Sequence, residues 1–425
     1  METISAGIDF GTTNTTAAIT IPGESPHIVP IEGDAAATPS ALFFEEKNDR
    51  LFFGRAAMKK YMDGDPGRFM RSLKRVLGTD LMRSGTVVNG QYKTFQDIIG
   101  AFIGNVKSRL DNEAARNIER VVMGRPVHFR DNDPAGDMRA EQELEKIARN
   151  AGFKNILFQF EPIAAAFAHE RFLTVEQLAI VIDIGGGTSD FSIIRLGGAH
   201  VNQSDRTSDI LANTGVRVGG NDFDKQLSLK TFMPEFGMGS TYDAGTVQHP
   251  KILMIPTANF FDLSEWSQIN ALYTYKSMNQ ADKYFLHASD PEKYGRMIEV
   301  MKRQQGHRLL GIVEKTKIEL SDADAIRVPL DFLKSMATVD ATRKEFEAAI
   351  ENNASKILDS VTECVRMAGI NPEKIQLVIL TGGSTEIPYI RDILCGLFPA
   401  ATVSADDKLS SVGLGLAFDA MRRFS

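Results

Sequence analysis

Two segments far apart in the chain share one pattern, and that pattern restricts the fold more than any other feature. In the first, Ile4, Ala6, Ile8 and Phe10 recur with period two, and Asp9 stands at the end of the run. Gly11-Thr12-Thr13-Asn14 then makes a turn and Thr16 to Ile21 reads as a returning strand. In the second, an apolar run from Leu178 to Ile182 ends in Asp183, Gly185-Gly186-Gly187-Thr188-Ser189-Asp190 turns, and Phe191 to Leu196 returns. A further unit also occurs twice. Val121-Val122-Met123 runs into Gly124-Arg125-Pro126, followed by an expected helix from about Ala140 to Asn150, a strand at Asn155 to Phe160 and a helix opened by Glu161-Pro162. Leu377 to Leu380 runs into Thr381-Gly382-Gly383-Ser384, followed by a helix at about Tyr389 to Leu397, a strand near Ala401 to Ser404 and a small-residue helix from about Ser410 to Met421. A hairpin and a strand–turn–helix–strand–helix unit in each half imply an internal duplication, two related α/β lobes facing one another.

The 425 residues exceed what a single core usually serves. The expected division is a first lobe of residues 1–176 and 398–425, with an inserted stretch at about 39–95, and a second lobe of 177–397, with an inserted stretch at about 221–355. The second insert is mostly helical by pattern, with a loop from Gly237 to Pro250. Its aromatic residues, Phe260, Phe261, Trp266, Tyr273, Tyr275, Tyr284 and Phe285 among them, read as a local core in preference to a docking surface.

With 43% hydrophobic and 24% charged residues, the balance is that of a soluble globular protein. A net charge of -7 offers no electrostatic footprint for nucleic acid or an anionic membrane, and no apolar stretch approaches the roughly 20 residues that span a bilayer. Cys364 and Cys395 are too few for a disulfide framework and read as small buried hydrophobes in preference to reactive thiols. The start of the chain lacks a basic region followed by an apolar run, so the expected location is the cytoplasm.

The two Gly- and Thr-rich turns make sense as paired phosphate grips. Small residues let backbone N–H groups approach phosphate oxygens, and Thr hydroxyls add donors. Either turn alone is no more than a tight hairpin; the pair in duplicated context points to phosphate. Asp9 and Asp183 would then meet near the same phosphates, and two acids beside phosphate oxygens call for a hard cation such as magnesium, held mainly through water. Gly382 and Gly383 would let a ring or ribose lie against the backbone, although an ordinary strand-to-helix turn reads equally well. Glu161 is either an acid on a helix dipole or, at the end of a central strand, a metal- or water-positioning group; the second is favoured. Lys74 lies in a basic run that composition alone makes an exposed face.

These segments resemble the nucleotide-binding domain of the heat-shock protein 70 (DnaK-type) chaperone family. The resemblance rests on Gly7 to Asn14, Asp183 to Asp190, Val218-Gly219-Gly220-Asn221-Asp222-Phe223-Asp224, Glu161 to Ala166 and Thr381 to Thr385, in order and rough spacing over nearly the whole chain. Individually these motifs are shared with actins and sugar kinases, and Gly219-Gly220-Asn221-Asp222-Phe223-Asp224 points specifically to the chaperone branch. Gly124-Arg125-Pro126, Phe158 to Pro162 and the region from Met233 to Gly239 are similar to divergent bacterial YegD-type members.

The resemblance implies a duplicated ribonuclease H-like fold with ATP or ADP and Mg2+ in the cleft between lobes, and slow Mg-dependent ATP hydrolysis. It implies that Asp9 and Asp183 set the metal's hydration shell, that Glu161 binds that shell, that Lys74 orients the attacking water and touches the transferred phosphoryl, and that Asp190 assists near the nucleophile. Gly11, Thr12, Thr13, Asn14, Gly185, Gly186, Gly187 and Thr188 would hold phosphates. Gly219, Gly220, Glu314, Lys317, Ser321, Gly382, Gly383, Ser384 and Asp407 would surround ribose and adenine. Three departures stand out. Glu386 occupies the place where many members set an Arg against adenine, opposite Ile318. Glu141, with Arg139 beside it, stands where the family's relay from Pro126 expects an Arg. The chain ends at Ser425, before the family's linker and peptide-binding domain, so an ATPase acting through a separate protein partner or exchange factor is expected. The alternatives are a small-molecule kinase of the same fold and a non-enzymatic actin-like or nucleotide-gated scaffold.

Overall fold

A computed structural model describes residues 4–130, 133–170, 173–197, 203, 205–246, 248–404 and 410–424. The chain opens with β1 (Ser5–Phe10), β2 (Asn14–Thr20), β3 (His27–Ile28) and β4 (Ala37–Pro39). The first inserted stretch holds β5 (Ala41–Glu45), β6 (Leu51–Phe53), α1 (Gly54–Met62), β7 (Gly67–Arg71) and the hairpin β8 (Gly85–Val88) and β9 (Gln91–Thr94). Then follow α2 (Phe95–Glu113), β10 (Arg120–Arg125), α3 (Pro134–Asn150), β11 (Asn155–Phe160) and α4 (Glu161–Glu170). The second half brings β12 (Gln177–Ile184), β13 (Ser189–Leu196), β14 (Ile210–Val216) and α5 (Gly220–Leu227). Its insert contains β15 (Thr241–Asp243), β16 (Ile252–Met254), α6 (Ala258–Leu263), α7 (Ile269–Leu272), α8 (Tyr275–Leu286), α9 (Pro291–Lys302), α10 (Gly306–Asp322), β17 (Ala325–Pro329) and β18 (Thr338–Thr342). The chain closes with α11 (Arg343–Ala368), β19 (Leu377–Thr381), α12 (Pro388–Gly396), β20 (Thr402–Val403) and α13 (Ser411–Phe424).

The duplication is visible strand by strand. The first sheet runs β11-β10-β1-β2-β3 and the second β20-β19-β12-β13-β14. In each, an antiparallel hairpin lies beside parallel strands: β1 pairs with β2 and β10, and β12 pairs with β13 and β19. The two lobes of an actin-like, ribonuclease H-like α/β fold follow from this order. In β1 the period-two pattern puts Ala6, Ile8 and Phe10 into a core shared with Phe102 and Ile99 of α2. Gly7 faces the other way, and a Cβ there would stand 2.6 Å from the Leu416 carbonyl carbon of α13.

The lobes are joined where α4 and α13 cross. α4 leaves the first sheet at β11, and α13 leaves the second at β20 to lie on β1, β2 and β10 of the first. At the crossing, a side chain on Gly415 would collide with the Ala164 carbonyl, so the two backbones touch. Val122, Ile163, Ala166, Val181, Ile379, Leu416 and Ala420 pack into one core drawn from both sheets and both helices.

Several expectations are corrected. Residues 398–425, expected with the first lobe, divide: β20 pairs with β19 in the second sheet, and α13 packs on the first. α3 begins at Pro134, not near Ala140, because Asp133 caps it by accepting from Gly136 N–H at 2.8 Å and Pro134 suits a first helical position. The stretch Gly237 to Pro250, expected as a loop, contains β15, which pairs with β16 beyond it. Of the aromatic residues expected as a local core in the second insert, Phe260 is buried and Tyr273, Tyr284 and Phe285 pack against the core, while Phe261 and Tyr275 are exposed and Trp266 is half-buried. Cys364 is buried among apolar side chains. Among the described residues no helix is long and apolar enough to cross a membrane.

Gly415→Ala should destabilise the protein by about 2 kcal/mol or more, since the collision is with backbone that the crossing cannot move without separating the lobes. Gly100→Ala, inside α2 with nothing within 4 Å of a new Cβ, should stabilise by roughly 0.5–1 kcal/mol. Urea denaturation of the two variants checks both signs.

Candidate functional site

The turn between β1 and β2 and the turn between β12 and β13 face each other across the cleft. A Cβ on Gly186 would collide with the Thr13 hydroxyl, so the two turns are in contact. Each is braced from behind within its own half. Ser40 donates its N–H to the Thr13 carbonyl at 2.8 Å and its hydroxyl to the Gly11 carbonyl at 2.7 Å. Gly220 and Asn221 donate their N–H groups to the carbonyls of Gly185 and Gly186 at 2.9 and 2.7 Å. Gly219 has no room for a side chain, since a Cβ would lie 2.7 Å from the Gly187 nitrogen. Thr12, Thr13, Asn14, Gly187 and Thr188 remain partly accessible at the cleft.

Beneath the turns, four charged groups converge. Lys74 Nζ lies 2.5 Å from Glu161 Oε1, and the two side chains retain 9% and 15% exposure. The exposed face that composition suggests for Lys74 is therefore wrong. Its acceptor arrives from 87 residues later in sequence, and Ser72, in the left-handed region at φ 58°, turns the chain inward just before it. Glu161 stands here because β11 ends at Phe160 and α4 begins with Glu161 itself, Pro162 following within its first turn. Asp9 is the next-to-last residue of β1, and Asp183 pairs with Thr381 of β19 on one side and Asp190 of β13 on the other. Enclosure by protein, then the charge of Glu161, push the Asp9 carboxyl up to about 8, with Lys74 opposing. The same two causes push Asp183 up to about 6, against the Thr381 hydrogen bond and Lys74. Burial works to lower the Lys74 ammonium, but Glu161, Asp9 and Asp183 outweigh it and its pKa is raised. A pocket lined by Glu161, Asp183, Asp190, Pro126, Asn213 and Thr381 opens beside this group.

The far wall of the cleft belongs to the second lobe. Glu314, Lys317 and Ser321 share a face of α10. Lys317 Nζ reaches Asp224 of α5 at 2.9 Å, and a Cβ on Gly220 would lie 2.7 Å from Ser384 Oγ. Gly382, at φ 79°, packs against the Asp183 carboxylate, which ties the turn after β19 to the acid cluster. Ile318 is 58% exposed beside this wall. Asp407 lies outside the described residues. Glu141 does not stand alone in the place of an Arg: Arg125, on β10, is ion-paired with both Glu141 and Asp137 at the start of α3, the latter at 2.6 Å. The positive charge expected on the helix is on the strand.

Sequence reasoning missed a contact between the two inserts. Tyr61 of α1 stacks on Phe69 of β7 at 4.3 Å, and its hydroxyl lies 2.6 Å from Nδ1 of His307 on α10. The His307 ring packs against Trp266, and the Arg71 guanidinium lies 4.9 Å from the centre of the Trp266 ring. Burial holds His307 down to about 4, so the ring is neutral at physiological pH. The aromatic richness of the second insert was a signal for Trp266; nothing local marks Tyr61 or His307 as partners, which are 246 residues apart.

Comparison with known families gives one finding. Residues 5–285 and 282–421 match the model of a family described as Hsp70 protein.

The raised carboxyls at the cleft floor make a pH prediction. Protons bind Asp9 and Asp183 more tightly in the folded than in the unfolded chain, so the stability they contribute is present near pH 4 and is lost as pH rises toward 8. Without nucleotide or metal, Asp9→Asn should melt at a higher temperature than the parent at pH 8, with the gap closing toward pH 5. Thermal melts in a chelator across that range check it; parallel curves would show that the cluster carries no such strain.

Proposed function

The chain belongs to the Hsp70 family, and on that premise we propose that it binds ATP with Mg2+ in the cleft between its lobes and slowly hydrolyses the terminal phosphate, as a chaperone-type ATPase domain working in the cytoplasm with a protein partner or exchange factor. The observation that carries this reading is the convergence of two facing small-residue turns on one buried cluster of Lys74, Glu161, Asp9 and Asp183. The single ammonium of Lys74 leaves these three carboxyls with an excess of negative charge, and an all-oxygen donor set suits a hard cation that keeps its waters. The bound cation supplies charge neutralisation on the phosphates.

In this reading Gly11, Thr12, Thr13, Asn14 and Gly185 to Thr188 bind phosphate oxygens through backbone N–H groups and hydroxyls. Asp9 and Asp183 would hold the metal's waters, with Glu161 behind them. Lys74 stays protonated, because the surrounding carboxylates raise its pKa, and so acts as a positive charge that orients the attacking water and stabilises the transferred phosphoryl. Asp190 acts beside the nucleophile. Gly219, Gly220, Glu314, Lys317, Ser321, Gly382, Gly383, Ser384 and Asp407 surround ribose and adenine. Catalysis is positioning and electrostatics, as expected for phosphoryl transfer.

Lys74→Ala should lower turnover about 100-fold or more while ATP affinity by calorimetry changes only a few-fold, since its contacts strengthen in the transition state. Turnover equal to the parent's would end the assignment. Asp183→Ala should abolish the magnesium dependence of ATP binding in the same calorimetric titration.

In the same reading, the aromatic contact that joins the two inserts, Tyr61 and Phe69 to His307, is a bridge that must part for nucleotide to leave. Tyr61→Ala, which removes one stacking contact and one hydrogen bond, should speed release of a fluorescent ADP analogue about 10-fold in stopped flow. An unchanged release rate would mean that nucleotide passes elsewhere.

A further inference from the structure

Among the described residues, the largest fully buried side chain belongs to an arginine that none of the chemistry above uses. Arg206 is 1% exposed and lies just before β14 in the second lobe. Its Nη1 and Nη2 donate to Oε2 and Oε1 of Glu170 at 2.8 and 2.7 Å, a two-pronged grip on the last residue of α4. Its Nε donates to Asp209, also fully buried, and its guanidinium lies 5.8 Å from the centre of the Phe167 ring. Glu170 Oε1 also accepts the Gly197 N–H at 2.9 Å, at the end of β13.

The two ends of α4 are therefore held by different parts of the molecule. Its first residue, Glu161, continues from β11 of the first sheet and is bonded to Lys74 of the first insert. Its last residue, Glu170, is fastened to the second lobe through Arg206 and Gly197. Between them lie Ala164, Ala165 and Ala166, where the helix touches Gly415 of α13 backbone to backbone. A short helix held at both ends and crossed at its middle moves as a rigid rod. A buried ion group of this kind is not a strong source of stability, since apolar replacements of similar volume often serve as well or better. A bidentate fork, however, sets orientation as well as attraction.

We propose that Arg206 is a positioning residue: through Glu170 it fixes the far end of α4 to the second lobe, so that the angle between the lobes sets where Glu161 stands against Lys74. The proposal rests on the reading of Lys74 and Glu161 as hydrolytic machinery. It makes α4 the part that reports lobe closure to the reaction centre, and it assigns Arg206, Glu170 and Asp209 to one unit with that task.

The test removes all three charges together, so that none is left buried without a partner: Glu170→Gln, Arg206→Met and Asp209→Asn in one chain. The triple variant is expected to fold, with ATP and ADP affinities within twofold of the parent, and to lose about 10-fold in kcat at unchanged KM. Arg206→Lys, which keeps the charge and loses the fork, is expected to resemble the triple variant in kcat; it also serves as the test chain if the triple variant fails to fold. A second readout does not depend on activity. Hydrogen exchange of the α4 amides should change when MgATP is added to the parent and should stop responding in the variants. A parent that binds nucleotide but hydrolyses none would defeat the functional reading while leaving this exchange response to decide on Arg206. Parental kcat in a folded variant, or an intact exchange response there, overturns the proposal.

Discussion

The two lobes of this protein meet through a contact between backbones. Where α4 crosses α13, Gly415 and Ala164 leave no atoms between the two helices beyond the main chain, and Gly7 on β1 receives Leu416 and Ala417 in the same way. Close approach of this kind puts the apolar faces of both sheets within reach of one set of side chains, so Val122 from the first sheet and Val181 and Ile379 from the second share a core. Every feature of the cleft depends on that spacing. A larger residue at the crossing would part the sheets, and the two turns that touch at Thr13 and Gly186 would no longer do so.

Fixing the lobes so closely has an electrostatic consequence. The strands that end at the cleft deliver Asp9, Asp183 and Glu161 to one enclosed volume with the ammonium of Lys74. Three acids and one base leave an excess of negative charge, and the raised carboxyls of Asp9 and Asp183 express it. Such a cluster works against folding of the empty protein, and it is suited to a ligand that brings positive charge and tight oxygen ligation. That electrostatic strain is located in a few side chains, all near strand ends or helix starts.

Two further contacts are built from charged and aromatic side chains. Arg125 sits between Asp137 and Glu141, so a strand carries the cation and a helix the acids. The inserts meet through Tyr61, Phe69, His307 and Trp266, with Arg71 lying over the indole. The first joins neighbouring elements 12 and 16 residues apart, whereas the second joins residues 246 apart in sequence.

Local order in this protein was legible in the amino-acid sequence wherever it depended on the backbone. The turns at Gly11 and Gly185 need small residues, the alternation in β1 needs one buried face, and Pro162 suits the first turn of a helix; each of these constraints acts within a few residues, so the duplication, the α/β class and the facing turns could be read directly. The start of α3 was equally local, written in Asp133 and Pro134. What tertiary structure decided is everything that depends on a partner far along the chain. Lys74 looks solvated in its basic run and is buried because Glu161 meets it from 87 residues on. His307 looks like one more polar residue on a helix until Tyr61, 246 residues away, closes over it. Composition and periodicity report how a segment presents itself to some interior, whereas the burial, charge state and neighbours of a given side chain are set by which segments the fold brings against it.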